Sequence, residues 1–244
     1  MSRPALALAL AALSFALPAC GVREYRPSRD AAFEMDRDVE IDDEDIRKAF
    51  AARPQLPATT FSVAYYTFDP EIAKDLDATL AAVPGVASVY RIPPLLVTGQ
   101  RRVDEANHYG PPREVSVKKL RLLAARAHAD VLVIADHGYR TGGANGLAAF
   151  NALLVPMLFL PFLDNTVDGY AEAFVLDVRN GYLYGHITEE DKRGDPYATI
   201  YDKSSSVVAE EQWATLRDAL RKDLTRLVES ERARGAQAPA PDRP

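Results

Sequence analysis

Apolar and polar positions along this chain switch between two periods, and the switches mark its elements. Residues 61–68 are rich in aromatic and β-branched side chains and predict a strand. Asp69-Pro70-Glu71 then predicts a helix start, with Asp69 as N-cap and Pro70 at the first helical position, where its missing N–H costs nothing. Ile72, Leu76, Leu80 and Val83 supply one apolar face, and Gly85 ends that helix. A second strand covers 86–92, closed by Pro93-Pro94. After a looser stretch, Ser116 caps a helix whose inward face is Leu120, Leu123, Ala124 and Ala127.

Residues 130–135 are nearly continuously apolar, the pattern of a strand covered on both faces. Glycines 138, 142, 143 and 146 predict a loop after it. Strands follow at 167–178 and 182–188, joined across Arg179-Asn180-Gly181. Asn-Gly there is a strong hairpin signal, because both residues tolerate positive φ. Ser204-Ser205-Ser206 opens a long final helix with Trp213, Leu216, Leu220, Leu224 and Leu227 on one stripe, closed near Arg232, Arg234 and Gly235. The order β-α-β-α-β-β-β-α predicts a single α+β domain over 58–235, with helices packed on a mixed sheet of about five strands. An Ala/Pro-rich tail, 236–244, has nothing to bury.

The start of the chain reads differently. Arg3 precedes an apolar run from Ala5 to Leu17, and Leu17-Pro18-Ala19 precede Cys20, the sole cysteine. A basic start, a short apolar core and a small residue before the cut predict a signal peptide over 1–19. The run is too short to span a bilayer. Leu17 and Ala19 around Cys20 resemble a lipobox, with Pro18 an unusual occupant of the slot between them. That resemblance implies a covalent diacylglycerol and an acyl chain on Cys20 and no other cofactor. Each buried methylene adds about 0.8 kcal/mol, so more than one chain anchors the protein durably to membrane lipid. Gly21, in the slot where an inner-membrane retention signal places Asp, implies the outer membrane, facing the periplasm. With Cys20 acylated, no thiol is left for a disulfide or a metal.

Residues 20–57 read as an acidic tether: Glu34, Asp36, Asp38, Glu40, Asp42, Asp43, Glu44 and Asp45 surround Arg37. A calcium loop starting at Asp36 fails, since its sixth position is Ile41 and its twelfth Arg47. Ile46, Ala49 and Phe50 predict one short helix before Pro54. The chain carries 35 acidic against 29 basic residues, a net charge of −6, which argues against nucleic acid as a partner.

The sequence holds no Gly-x-Ser-x-Gly elbow, phosphate loop or His-Glu-x-x-His. Asp136-His137, at the end of a buried strand, with His186 from a later one, is the best constellation for acid–base work, as in an envelope hydrolase. The other feature is an apolar run over 150–163 broken by Pro156 and Pro161. Its Leu153, Leu154, Val155, Met157, Leu158, Phe159 and Phe162 make either core packing or a contact surface for a partner or a membrane.

The runs 130–135 and 167–184, the latter reading Val-Asp-Gly-Tyr-Ala-Glu-Ala-Phe-Val-Leu-Asp-Val-Arg-Asn-Gly-Tyr-Leu-Tyr, resemble the core of the rhombotarget lipoprotein family. The likeness covers roughly 61–188 and the lipobox. Members of that family end in a glycine-rich, hydrophobic, basic tail cut by a rhomboid protease, whereas this chain ends in Ala/Pro-rich polar residues. The element order is also similar to periplasmic lipoproteins built like the curli-export subunit, the penicillin-binding-protein activators and the TolB amino-terminal domain. These resemblances imply a non-enzymatic envelope lipoprotein that binds a protein partner or assembles with itself.

Overall fold

The computed structural model describes residues 24–25, 43–69, 72–98, 115–143, 161, 163–199 and 201–237. Among them the strands are β1 (Glu24–Tyr25), β2 (Phe61–Thr67), β3 (Val86–Arg91), β4 (Val131–Thr141), β5 (Val167–Asp177) and β6 (Leu183–Arg193). The helices are α1 (Asp43–Ala51), α2 (Ala73–Ala81), α3 (Pro94–Thr98), α4 (Val117–Arg126) and α5 (Ser205–Gln237). The sheet runs β3-β2-β4-β5-β6, with β1 added on β4. β2 is parallel to both β3 and β4, while β1 is antiparallel to β4. Backbone bonds from Gly142 N–H to the Thr166 carbonyl and from Val178 N–H to the Asp130 carbonyl make β4 and β5 antiparallel in constant register. The fold is therefore α+β on a mixed sheet, in the order the sequence predicts.

The described chain groups into two compact units. The larger takes its residues from Pro27–His137, Ala171–Glu189 and Leu216–Pro244. One sheet face here carries Ala64, Tyr66, Leu132 and Ile134, with Leu120 and Ala124 of α4 in the same buried cluster. On the other face the Tyr65 hydroxyl donates to the Ala73 carbonyl of α2, and Leu227 of α5 lies against Gly185 of β6. Leu76, Leu80, Leu216, Leu220 and Leu224 are all buried, each worth about 1.5–3 kcal/mol of apolar transfer. Helices on both faces explain why 131–135 is apolar without alternation.

The smaller unit takes its residues from Met1–Arg26, Gly138–Tyr170 and Glu190–Thr215. Asn165 knots it: its amide donates to the Lys203 carbonyl at 2.8 Å and its side-chain oxygen accepts the Asp195 N–H. Leu163 and Ala198 exchange both backbone bonds, and Asp164 N–H reaches the Gly143 carbonyl at 2.8 Å. The Gln212 amide, buried, donates to the carbonyls of Val167 (2.9 Å) and Asp191 (2.6 Å).

Several boundaries depart from the sequence reading, each for a physical reason. Asp69 does not cap α2; the N-cap is Ile72, without a side-chain bond, because the Asp69 carboxylate is engaged elsewhere. Ser116 does cap α4, accepting the Lys119 N–H at 3.4 Å. β4 continues six residues beyond Ala135 into the expected glycine loop, since β5 supplies backbone partners along its whole length and the Tyr170 ring packs over Gly138. Gly181 turns the β5–β6 hairpin at φ +75°. α3 was not expected. The stretch read as a spacer is tied to the fold at β1 and again at Arg53–Gln55, where Asn180 and Arg179 donate to the Arg53 and Gln55 carbonyls. α1 forms where Ile46, Ala49 and Phe50 predict it, buries no residue and leaves Phe50 82% exposed.

Candidate functional site

The chain leaves β2 toward β3 on one side and leaves β4 toward β5 on the other. The carboxyl ends of β2 and β4 thus form a topological switch point, where open α/β sheets hold ligands and polar chemistry. Asp69 and His137 meet there. Thr67, the last residue of β2, pairs in register with Ala135, so two further residues on each strand bring Asp69 beside His137. The His137 Nδ1 lies 3.3 Å from Asp69 Oδ2, with both side chains buried. The Thr67 hydroxyl closes a local turn, accepting the Asp69 N–H and donating to the Asp69 carbonyl, both at 3.1 Å. Asp136, also buried, accepts the N–H of His137 at 2.9 Å. Asp69, Asp136 and His137 make further contacts beyond these.

A carboxylate that orients an imidazole is half of an acid–base device; the other half is an open ring nitrogen facing substrate. At 5% exposure His137 is enclosed, and its contact with Asp69 joins the end of β4 to the turn after β2. Among the described residues no group of three or more His, Cys, Asp or Glu is placed to hold a metal ion.

His186 is elsewhere. Its ring stacks on Phe174 (4.3 Å between centroids, 4° between planes), and its Nε2 lies 2.6 Å from Glu172 Oε1 and 3.1 Å from the Thr188 hydroxyl. Phe174 belongs with Leu132 and Ile134 on one sheet face, whereas His137, an odd position on β4, points to the opposite face. The sheet therefore separates the two histidines, each beside a carboxyl group of its own, Asp69 at His137 and Glu172 at His186. Their nearness along the predicted strands could not show this, because a one-residue difference in parity moves a side chain through the sheet.

A second polar centre was not anticipated. Asp177, fully buried, ends β5 and accepts four donors: Tyr184 hydroxyl (2.7 Å) and Gln55 N–H (3.1 Å) on Oδ2, Arg179 N–H (2.8 Å) and Asn180 N–H (3.3 Å) on Oδ1. Burial first, and then the Asp177 carboxylate, push the Tyr184 hydroxyl far above its ordinary range. The Asp-x-x-Asn-Gly run signals the turn; only the fold supplies Gln55 and Tyr184.

Cys20 and the candidate contact residues Leu153, Leu154, Val155, Met157, Leu158, Phe159 and Phe162 lie outside the described residues. No helix among the described residues is long and apolar enough to cross a membrane.

No family model matches the sequence, and no curated protein matches it. The rhombotarget resemblance stays with the residues that carry it. Among solved structures the chain is similar to the lipoprotein GNA1162 of Neisseria meningitidis, at 13% identity and TM-score 0.30, over 66% of this chain and 98% of that one. It is also similar to the hypothetical protein CT253 of Chlamydia trachomatis, at 12% identity and TM-score 0.35, over 70% and 98%. A third is protein XCC0632 of Xanthomonas campestris, described as DUF330, at 14% identity and TM-score 0.31, over 76% and 91%.

Proposed function

We propose that this protein is a lipid-anchored envelope lipoprotein that acts without catalysis, by binding a protein partner or a second copy of itself at the outer membrane. The observation that carries this reading is the sole cysteine of the chain standing directly behind Leu17-Pro18-Ala19 at the end of a signal-like apolar run. The acyl groups on Cys20 are its only non-protein component, and membrane lipid is its first partner. Supporting the non-catalytic part, the Asp69–His137 pair is enclosed and His186 faces the other side of the sheet. The apolar run 150–163 is the proposed contact surface for the protein partner.

Two measurements test this. Cells fed an alkyne fatty acid label the wild-type protein and leave Cys20→Ser unlabelled; equal labelling of both rejects the anchor. In-cell crosslinking with mass spectrometry, run beside a 150–163 deletion that keeps its circular-dichroism melt, reads the partner. Crosslinks lost in the deletion support the contact surface, and unchanged crosslinks reject it.

A further inference from the structure

The anchor and the fold are joined by very little chain. Glu24 pairs with Arg140 and Tyr25 with Tyr139, only four residues after Cys20. At about 3.5 Å per residue the cysteine lies within roughly 14 Å of Glu24. Direction matters as much as reach. β1 is antiparallel to β4, so the chain traced backward from Glu24 departs toward the Gly142–Gly143 end of β4.

That end is where the smaller unit gathers its turns. Gly142 N–H bonds the Thr166 carbonyl, Asp164 N–H bonds the Gly143 carbonyl, and Asn165 exchanges bonds with Asp195. The turn over 195–203 is thereby fastened to the β4 end through neighbouring backbones, each about 5 Å from the next. Two tyrosines stand out from this turn, Tyr197 at 62% and Tyr201 at 74% exposure. Neither hydroxyl bonds another of the described residues. The turn itself is stiff: Asp195 accepts the Tyr197 N–H at 2.8 Å, and Asp202 accepts both the N–H and the hydroxyl of Thr199. Those two bonds hold the Asp202 carboxyl below its usual range. Exposed tyrosines on a stiff turn suit the bilayer interface, where the ring enters the apolar boundary and the hydroxyl stays wet.

We infer that the smaller unit rests on the bilayer that holds the chain's own anchor, with Tyr197 and Tyr201 seated in the headgroup region. This rests on the reading of Cys20 as the lipidated residue, and it replaces a long spacer with a short leash. The 26–42 stretch follows β1 in the chain, so it does not lie between Cys20 and the smaller unit.

The test uses the full lipidated protein in vesicles of phosphatidylethanolamine and phosphatidylglycerol. Acylation blocks Cys20, so Tyr201→Cys provides the single thiol for an environment-sensitive fluorophore, and Tyr197→Cys provides a second position. Mass spectrometry first counts labels and acyl groups. Two labels and no acyl mass would reject the anchor itself, separately from the orientation. With the anchor present, emission should shift to the blue, spin-labelled lipid should quench it, and iodide quenching should fall several-fold. The baseline is the same labelled position in signal-less Cys20→Ser protein mixed with those vesicles, with Cys20→Ser supplying the unlipidated state. Iodide access equal to that baseline at both positions, with no lipid quenching, overturns the inference.

Discussion

The Tyr184 hydroxyl donates to the Asp177 carboxylate at 2.7 Å, and the same carboxylate oxygen accepts the Gln55 N–H. One buried charge thereby binds the β5 end, the β6 start and the segment before β2 at a single point. Tyr184→Phe removes one of four donors and should cost about 1–2 kcal/mol in urea unfolding. Asp177→Ala removes the acceptor of all four, leaving Gln55 N–H only the Tyr184 oxygen at 3.2 Å, and should cost more, about 3 kcal/mol. The Tyr184 proton also sets an alkaline limit. Its folded value lies above the unfolded one, so unfolding releases this proton once the pH passes about 10. Stability should fall with pH above that point in the wild type, and less steeply in Tyr184→Phe.

Asp69 and His137 clamp the ends of β2 and β4. Asp69→Ala leaves the buried imidazole without this partner and should lower stability by about 1–3 kcal/mol, read from thermal and urea unfolding. Asp69→Asn, which keeps an oxygen acceptor at nearly the same place, should lose less. An unchanged melting temperature in the alanine variant would show that the clamp contributes nothing.

Gly169 is required by a neighbour. A Cβ there would collide with the Gln212 side-chain amide, which two carbonyls hold in place. Gly169→Ala should destabilise by about 1–3 kcal/mol. The double variant with Gln212→Ala removes the clash, so its cost should fall below the sum of the two single variants.

Glu189 has its carboxyl raised above the ordinary range, first by burial and then by the Asp223 carboxylate. For a raised carboxyl the folded state holds its proton longer, so stability is full below the unfolded value of about 4.3 and declines as pH rises through the folded one. Glu189→Gln should therefore gain stability at pH 7, by about 0.5 kcal/mol or less given its partial exposure. The gain should vanish below about pH 4. A gain that persists in acid would assign it to packing.

Local signals were read well because their causes are local. Ser116 caps α4 since its hydroxyl is three residues from the N–H it accepts, and Gly181 turns the hairpin since positive φ is a property of one residue. Asp69 shows the opposite. Asp-Pro reads as a helix cap, yet the carboxylate belongs to His137, 68 residues away. That His137 and His186 lie on opposite sheet faces was likewise beyond a short window, because side-chain parity on neighbouring strands follows from register.

By itself the sequence determined the mixed α+β class and every helix and strand but β1 and α3, because periods of 3.6 and 2 are imposed by burying one face of each element. It also marked Cys20 as the candidate for lipidation, a reading of local sequence that needs no fold. Only the tertiary structure decided that β4 takes β1 as a partner, that the two histidines face opposite ways, and that Asp177 gathers donors from three segments. Those are pairings between distant residues, chosen by register and crossover once the apolar faces are closed against water.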